Sequence, residues 1–202
     1  MQVTGLVLAA GSSTRLGQPK QLLPYRGAPL LESALTTARS CGFDQLVVVL
    51  GGSYDQVRAE VDLSDAVVVR NEAHGAGCSS SIASSLVVVE AASDGLVLML
   101  GDQPGVQPSS VADLLGAAGD STLPDVAVCR YDDGWGHPMW FARTVFGDLT
   151  DLHGDKGVWR LLHSGRYDVR EVPVPGPVPV DVDTWEDYQA LLRAEPDAGA
   201  AS

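Results

Sequence analysis

The sequence predicts an α/β fold, three layers deep, built on a mostly parallel sheet. Three observations carry this. Apolar runs of strand length are continuous rather than alternating, as in strands covered on both faces. Stretches with helical spacing separate them, the pattern of βαβ units. Gly, Ser and Pro punctuate the joints. In order, "GLVLA" at residues 5–9 is the first strand. Leu31, Leu35 and Ala38 recur on one helical face, and Gly42 supplies a C-terminal stop. "QLVVVLG" (45–51) is the second strand, and Ser53 with Gln56 has the spacing of a capping box for a short helix. "AVVVRN" (66–71) is the third strand, and a helix is expected over 78–92 after a Gly-rich entry. "GLVLML" (95–100) is the fourth strand, and Pro108 opens another helix. The second half is less regular. "VAVCRY" (126–131) and "HPMWFA" (137–142) read as strands joined by "DDGWG", helical stretches follow over 143–152 and 156–163, and "YDVREVPV" (167–174) is extended. Thr184 with Asp187 is a capping box for a last helix over 185–194.

The 202 residues suit one domain with a full core, read here as 1–196 with a frayed tail at 197–202. A net charge of -13 argues against general binding of DNA or RNA, which needs an excess of Lys and Arg. A phosphorylated ligand would then rely on local cations and a metal ion. Cys41, Cys78 and Cys129 are widely spaced and form no CxxC pair, which argues against a disulfide framework or a structural zinc site. No secretory signal opens the chain, and no apolar run reaches the roughly 18 residues of a membrane span. The expectation is a cytoplasmic protein without membrane or nucleic-acid partners.

"LVLAAGSSTRLGQPKQLLP" (6–24) is the most informative stretch. Open parallel sheets bind ligands at the carboxyl ends of their strands. The small residues Gly11, Ser12 and Ser13 let backbone N–H groups approach phosphate oxygens, while Arg15 adds a planar fork of donors and Lys20 a mobile point charge. A plain β-to-α turn with two solvated cations has the same spacing. Neither G-x-G-x-x-G nor G-x-x-x-x-G-K-[ST] is present, since Gly17 precedes Gln18 and Pro19.

The same stretch resembles the signature of the MobA-like nucleotidyltransferases, L-A-A-G-x-S-x-R-[ML]-G-x-x-K-x-L-L, through Ala9, Ala10, Gly11, Ser13, Arg15, Gly17, Lys20, Leu22 and Leu23. The resemblance continues through "GDQP" (101–104), "GHP" (136–138) and "DVDT" (181–184). It implies a Rossmann-like sandwich of the nucleotidyltransferase type. Within the family the chain is most similar to the molybdenum cofactor cytidylyltransferase branch, whose A-A-G implies CTP over GTP. The resemblance also implies Mg²⁺, with Mn²⁺ as the alternative, a molybdopterin-type acceptor, and a molybdoenzyme as downstream partner.

Asp102 ends an apolar strand, where it can hold a hard cation against phosphates or merely cap a turn. Asp181 and Asp183 share a face if extended, as metal ligands or as an acidic edge before the helix. The resemblance selects Asp102 and Asp183 as metal ligands, and Arg15, Lys20 and Asp102 as catalytic. It assigns Leu8, Ala9, Ala10, Gly11, Ser12, Ser13, Arg15, Lys20, Asn71, Gly101 and Asp102 to the nucleotide, and Gly77, Ser81, Gly136, His137 and Pro138 to the acceptor. Trp135 and Trp140 either stack on a flat acceptor ring or pack the core. The hydroxyl-rich entry to the helix at 78 either receives a ligand or is an ordinary N-cap. The expected reaction moves CMP from CTP to the acceptor's terminal phosphate. A sugar phosphate or another phosphorylated small molecule as acceptor, and a non-catalytic cofactor chaperone with the same fold, are the rival readings.

Overall fold

Strand β1 (Val3–Ala9) explains why the sheet has two covered faces. Its residues alternate, Val3, Val7 and Ala9 facing one apolar cluster and Leu6 and Leu8 another. In the computed structural model, which describes residues 1–118 and 124–194, β1 lies inside a seven-stranded sheet. The strands beside it are β4 (Gln45–Leu50) and β6 (Gly95–Leu100), both parallel to it. The full order is β5-β4-β1-β6-β8-β7-β9, with β5 (Val67–Arg70), β7 (Val126–Tyr131), β8 (Gly134–Ala142) and β9 (Val169–Pro173). Only β8 runs antiparallel to its neighbours. β2 (Pro24–Tyr25) and β3 (Ala28–Pro29) form a separate small hairpin, which the sequence reading missed. Its turn puts Arg26 and Gly27 at positive φ, as a tight two-residue hairpin requires.

Helices cover both faces. Leu31 and Leu35 of α1 (Leu30–Ser40), Val57 of α2 (Tyr54–Glu60), and Val111 and Leu114 of α4 (Pro108–Ala118) enter the first cluster. Ile82 of α3 (Cys78–Leu86), Leu149 of α5 (Phe146–Thr150), and Val158 and Leu161 of α6 (Gly157–Leu162) enter the second. The three layers follow from burying both sheet faces. α1 ends as expected, with Gly42 at φ +69° beyond its C-cap.

Three local expectations need correction. Ser53 makes no capping hydrogen bond, so the Ser53–Gln56 box does not form. α3 stops at Leu86 rather than 92. The β-branched run Val87–Val89 weakens the helix, and the Gln45 side chain takes the Val88 carbonyl and the Glu90 N–H. The stretch at 143–152 divides into a 3₁₀ turn, Arg143–Val145, and α5. At the C-terminal end α7 (Trp185–Arg193) starts with the expected capping box, Thr184 and Asp187 bonding reciprocally. The expected frayed tail at 197–202 lies outside the described residues.

Candidate active site

The chain order reverses at β1: β4 was added on one side and β6 on the other. The carboxyl ends of such strands frame a crevice. Here they frame a cavity of about 510 Å³, lined by Leu8, Ala9, Ala10, Gly11 and Ser12 after β1 and by Leu100, Gly101 and Asp102 after β6. The two rims are close because their residues are small. A Cβ on Gly101 would come within 2.9 Å of the Ala9 Cβ and 2.8 Å of Leu31 Cδ1. A Cβ on Gly51, at the end of β4, would lie 2.3 Å from the Ala10 carbonyl oxygen.

After the loop the chain makes a 3₁₀ turn, Lys20–Leu22, pinned where the Ser13 hydroxyl accepts from the Lys20 N–H at 2.9 Å. The turn aims the Lys20 ammonium back at the strand ends. Its Nζ donates to Asp102 Oδ2 in a short contact and to Asp183 Oδ1 at 2.8 Å. Arg15 reaches the other oxygen of Asp183 at 3.4 Å. The chain itself brings Asp183 there: the Val182 N–H donates to the Asp102 carbonyl at 3.1 Å, and the Val182 side chain is buried with Leu16, Leu23, Tyr25, Leu30 and Tyr188. Asp181 and Asp183 therefore flank a buried anchor and both line the cavity.

Burial alone would lower the Lys20 pKa, but the charge and hydrogen bond of Asp102, joined by those of Asp183, hold it above the usual lysine value. Lys20 is thus a fixed cation near neutral pH and not a proton acceptor. Asp181 is pushed up to about 6 by partial burial and then by the charges of Asp102 and Asp183. Such crowding of carboxylates around one positive centre suits a hard divalent cation, which takes one or two carboxylates and completes its shell with phosphate oxygens and water. Among the described residues no group of three or more His, Cys, Asp or Glu is arranged to hold an ion alone. Asp102 and Asp183, brought together on the Lys20 ammonium, supply two carboxylates, a donor set that fits a divalent cation sharing its shell with phosphate oxygens.

The opposite wall comes from β8. Pro138 has no N–H to give the ladder, so a proline in this central strand needs a bulge. Register jumps here: Val128 faces Met139, but Cys129 faces Gly136, leaving His137 and Pro138 outside regular pairing. The bulge turns the His137 ring to the cavity, edge-on to Trp159 at 6.2 Å. Gly136 fits because a Cβ there would meet the Tyr131 ring at 2.9 Å and Val178 at 3.0 Å. Burial pushes His137 down to about 4, so the ring is neutral at pH 7. Trp135 and Trp159 complete an aromatic wall, whereas Trp140 is a core residue with its indole N–H on the Pro124 carbonyl.

A family model, the MobA-like NTP transferase domain, matches residues 5–170. The chain belongs to the MobA-like NTP transferase family. Purine catabolism protein PucB of Bacillus subtilis (strain 168) is 31% identical, covering 94% of this chain and 96% of its own. Nicotine blue oxidoreductase of Paenarthrobacter nicotinovorans is 36% identical over 72% of this chain and 78% of its own. The crystal structure of Rv0371c from Mycobacterium tuberculosis H37Rv superposes with a TM-score of 0.90 at 52% identity, covering 96% and 99% of the two chains. A complex of that protein with manganese gives 0.87 at 51% identity, covering 96% and 100%. A nucleotidyl transferase from Methanothermobacter, Mth528, gives 0.76 at 26% identity, covering 96% and 99%. The relatives' names span more than one reaction class, so the chemistry of this MobA-like protein is read from its site.

Of the residues expected at that site, Leu8, Ala9, Ala10, Gly11, Ser12, Lys20, Gly77, Ser81, Gly101, Asp102, Gly136, His137 and Asp183 line one cavity. Ser13, Arg15, Asn71 and Pro138 are not among its lining residues. Ser13 shapes the loop through its φ of +51° and its bond to Lys20. Arg15 is largely exposed and reaches the site only through Asp183. Asn71 is buried, donating to the hydroxyls of Ser80 and Ser81 at 2.9 Å. The entry to α3 is occupied by protein: Asp155 accepts from the Cys78 N–H at 3.1 Å and Gly154 from the Ser79 hydroxyl at 2.6 Å. A carboxylate at that helix start disfavours the anion considered for it. The sequence reading passed over Gln21 and Gln103, both buried and both lining the cavity. Nothing in periodicity marks them; Gln21 stands beside Lys20, and Gln103 stands inside the "GDQP" motif without a role of its own.

Proposed function

We propose that this protein transfers a nucleoside monophosphate, CMP from CTP, to the terminal phosphate of a molybdopterin-type acceptor with release of pyrophosphate. The observation that carries the reading is the convergence of Lys20, Asp102 and Asp183 beneath the small-residue loop. The loop at 9–13 seats the nucleotide, Lys20 faces its phosphates, and Arg15 acts from outside the cavity lining through its ion pair with Asp183. Asp102 and Asp183 would hold Mg²⁺ or Mn²⁺, which supplies charge neutralisation at the phosphate oxygens. The manganese complex of the related Mycobacterium protein supports a divalent ion in this fold. An acceptor phosphate oxygen attacks the α-phosphorus, the bond from that phosphorus to the bridging α–β oxygen breaks, and pyrophosphate leaves. The nucleophile is already ionised near neutral pH, so positioning and electrostatics suffice and no general base is needed. Trp135, Trp159 and the neutral His137 offer the acceptor an aromatic wall, which supports a heteroaromatic ring there.

The test is pyrophosphate release with molybdopterin and each of CTP, GTP, ATP and UTP, with and without Mg²⁺ or Mn²⁺. The expected result is metal-dependent release, fastest with CTP. GTP as the preferred donor would overturn the cytidylyl assignment. Release with glucose 1-phosphate but not with molybdopterin would overturn the acceptor. No release under any combination would overturn the enzymatic reading.

A further inference from the structure

We propose that Gln21 is a positioning residue for the nucleotide, bracing the loop at 9–11 against the turn that carries Lys20. The inference rests on the nucleotidyltransferase reading above. Gln21 is 3% exposed and lines the cavity directly after Lys20. Its Nε2 donates to the Ala9 carbonyl at 2.7 Å and to the Gly11 carbonyl at 3.2 Å. Two acceptors fix the orientation of the amide, because a flipped Oε1 would face two carbonyl oxygens.

Those bonds govern two peptide planes. A trans peptide carries its C=O and N–H on opposite edges. Turning the Ala9 and Gly11 carbonyls toward Gln21 therefore turns the Ala10 and Ser12 N–H groups the other way. A nest of backbone N–H groups binds phosphate only while its planes hold their orientation. Because Gln21 and Lys20 share one short turn, the same brace sets the distance between the loop and the ammonium that faces Asp102 and Asp183.

The remaining atom of the side chain supports a functional reason. Gln21 Oε1 is buried with no hydrogen-bond partner. An orphaned buried oxygen opposes folding, and a methionine of similar length would remove it. The structure thus contains an amide whose donor side is used and whose acceptor side is a liability. Such a residue is accounted for by what its donor side positions.

The experiment measures CTP binding by calorimetry in the presence of Mn²⁺, for the full chain and for Gln21→Met and Gln21→Glu. Thermal midpoints are recorded without nucleotide. The expected result is a Kd for CTP raised at least about tenfold in Gln21→Met, with a thermal midpoint lowered by no more than a few degrees, because the Ala9 and Gly11 carbonyls lose their donor while the orphaned Oε1 is removed. Gln21→Glu should lose more affinity as pH rises from 6 to 9, because only a protonated carboxyl can donate to those carbonyls. In turnover the Met variant should raise the KM for CTP and leave the KM for the acceptor unchanged. CTP affinity unchanged in both variants would overturn the inference and leave the enzymatic reading standing. An equal rise in the two KM values would overturn the role in nucleotide positioning. No CTP binding by the unsubstituted chain would overturn the nucleotide reading and the inference together.

Discussion

Lys20 carries the sharpest prediction at the scale of single residues. Its ammonium bridges Asp102 and Asp183, and its side chain is 11% exposed. Gln21 apart, no neighbour in its turn has a comparable hold on the site. Lys20→Met should lower kcat by about 10²–10³-fold, the effect of removing one preorganised charge from a transition state. It should also raise Mn²⁺ affinity in the absence of nucleotide, since two carboxylates lose their fixed counter-ion. A metal titration alongside steady-state kinetics checks both. His137 makes a second prediction. Its folded pKa of about 4 lies below the unfolded value near 6.5. The unfolded chain therefore binds the extra proton between those values. The stability held above about pH 6.5 is lost as pH falls toward 4, by about 3 kcal/mol for this group. Denaturation curves of His137→Phe should be flatter over that window than those of the unsubstituted chain. Both residues stand in the sequence beside recognisable neighbours, but the neutral state of His137 follows only from its burial.

Glycines decide how closely the elements of the site approach. Gly51 at the end of β4 touches the loop after β1, where an added Cβ would sit 2.3 Å from the Ala10 carbonyl and 2.9 Å from the His74 Cβ. Gly51→Ala should cost about 1–3 kcal/mol by overpacking and move the loop. A thermal midpoint lowered by several degrees, with weaker CTP binding, checks this. Element existence was legible where local chemistry and burial agree. Continuous apolar runs gave β1, β4 and β6, Gly42 stopped α1, and Thr184 with Asp187 capped α7. The end of α3 was not legible, because Gln45, more than thirty residues earlier in the chain, takes the backbone groups of Val88 and Glu90. Nor was the β8 bulge, which depends on a proline lying in a central strand rather than at an edge.

At the scale of the whole molecule, charge sets the terms of ligand binding. The chain carries a net charge of -13, and the cavity is lined by Lys20 against Asp102, Asp155, Asp181 and Asp183. A bare triphosphate would meet repulsion there, so nucleotide should bind as its metal complex. CTP at about a hundredfold its Kd with Mn²⁺ should add roughly 2.7 kcal/mol of stability, several degrees in thermal midpoint for a protein of this size. Chelating the metal with EDTA should abolish the shift. Among the described residues no helix is long and apolar enough to cross a bilayer.

The sequence by itself determined the α/β class and the loop after β1, because apolar periodicity and small-residue turns act over a few neighbours. It also named Lys20, Asp102 and Asp183 through the family signature. Only the tertiary structure decided that these three meet. Asp102 and Asp183 are 81 positions apart in numbering and come together through the Val182 N–H on the Asp102 carbonyl and the burial of Val182 against the hairpin and α7. Such contacts are set by which apolar surfaces the completed sheet leaves to be covered, and that information is not carried by any short stretch of the chain.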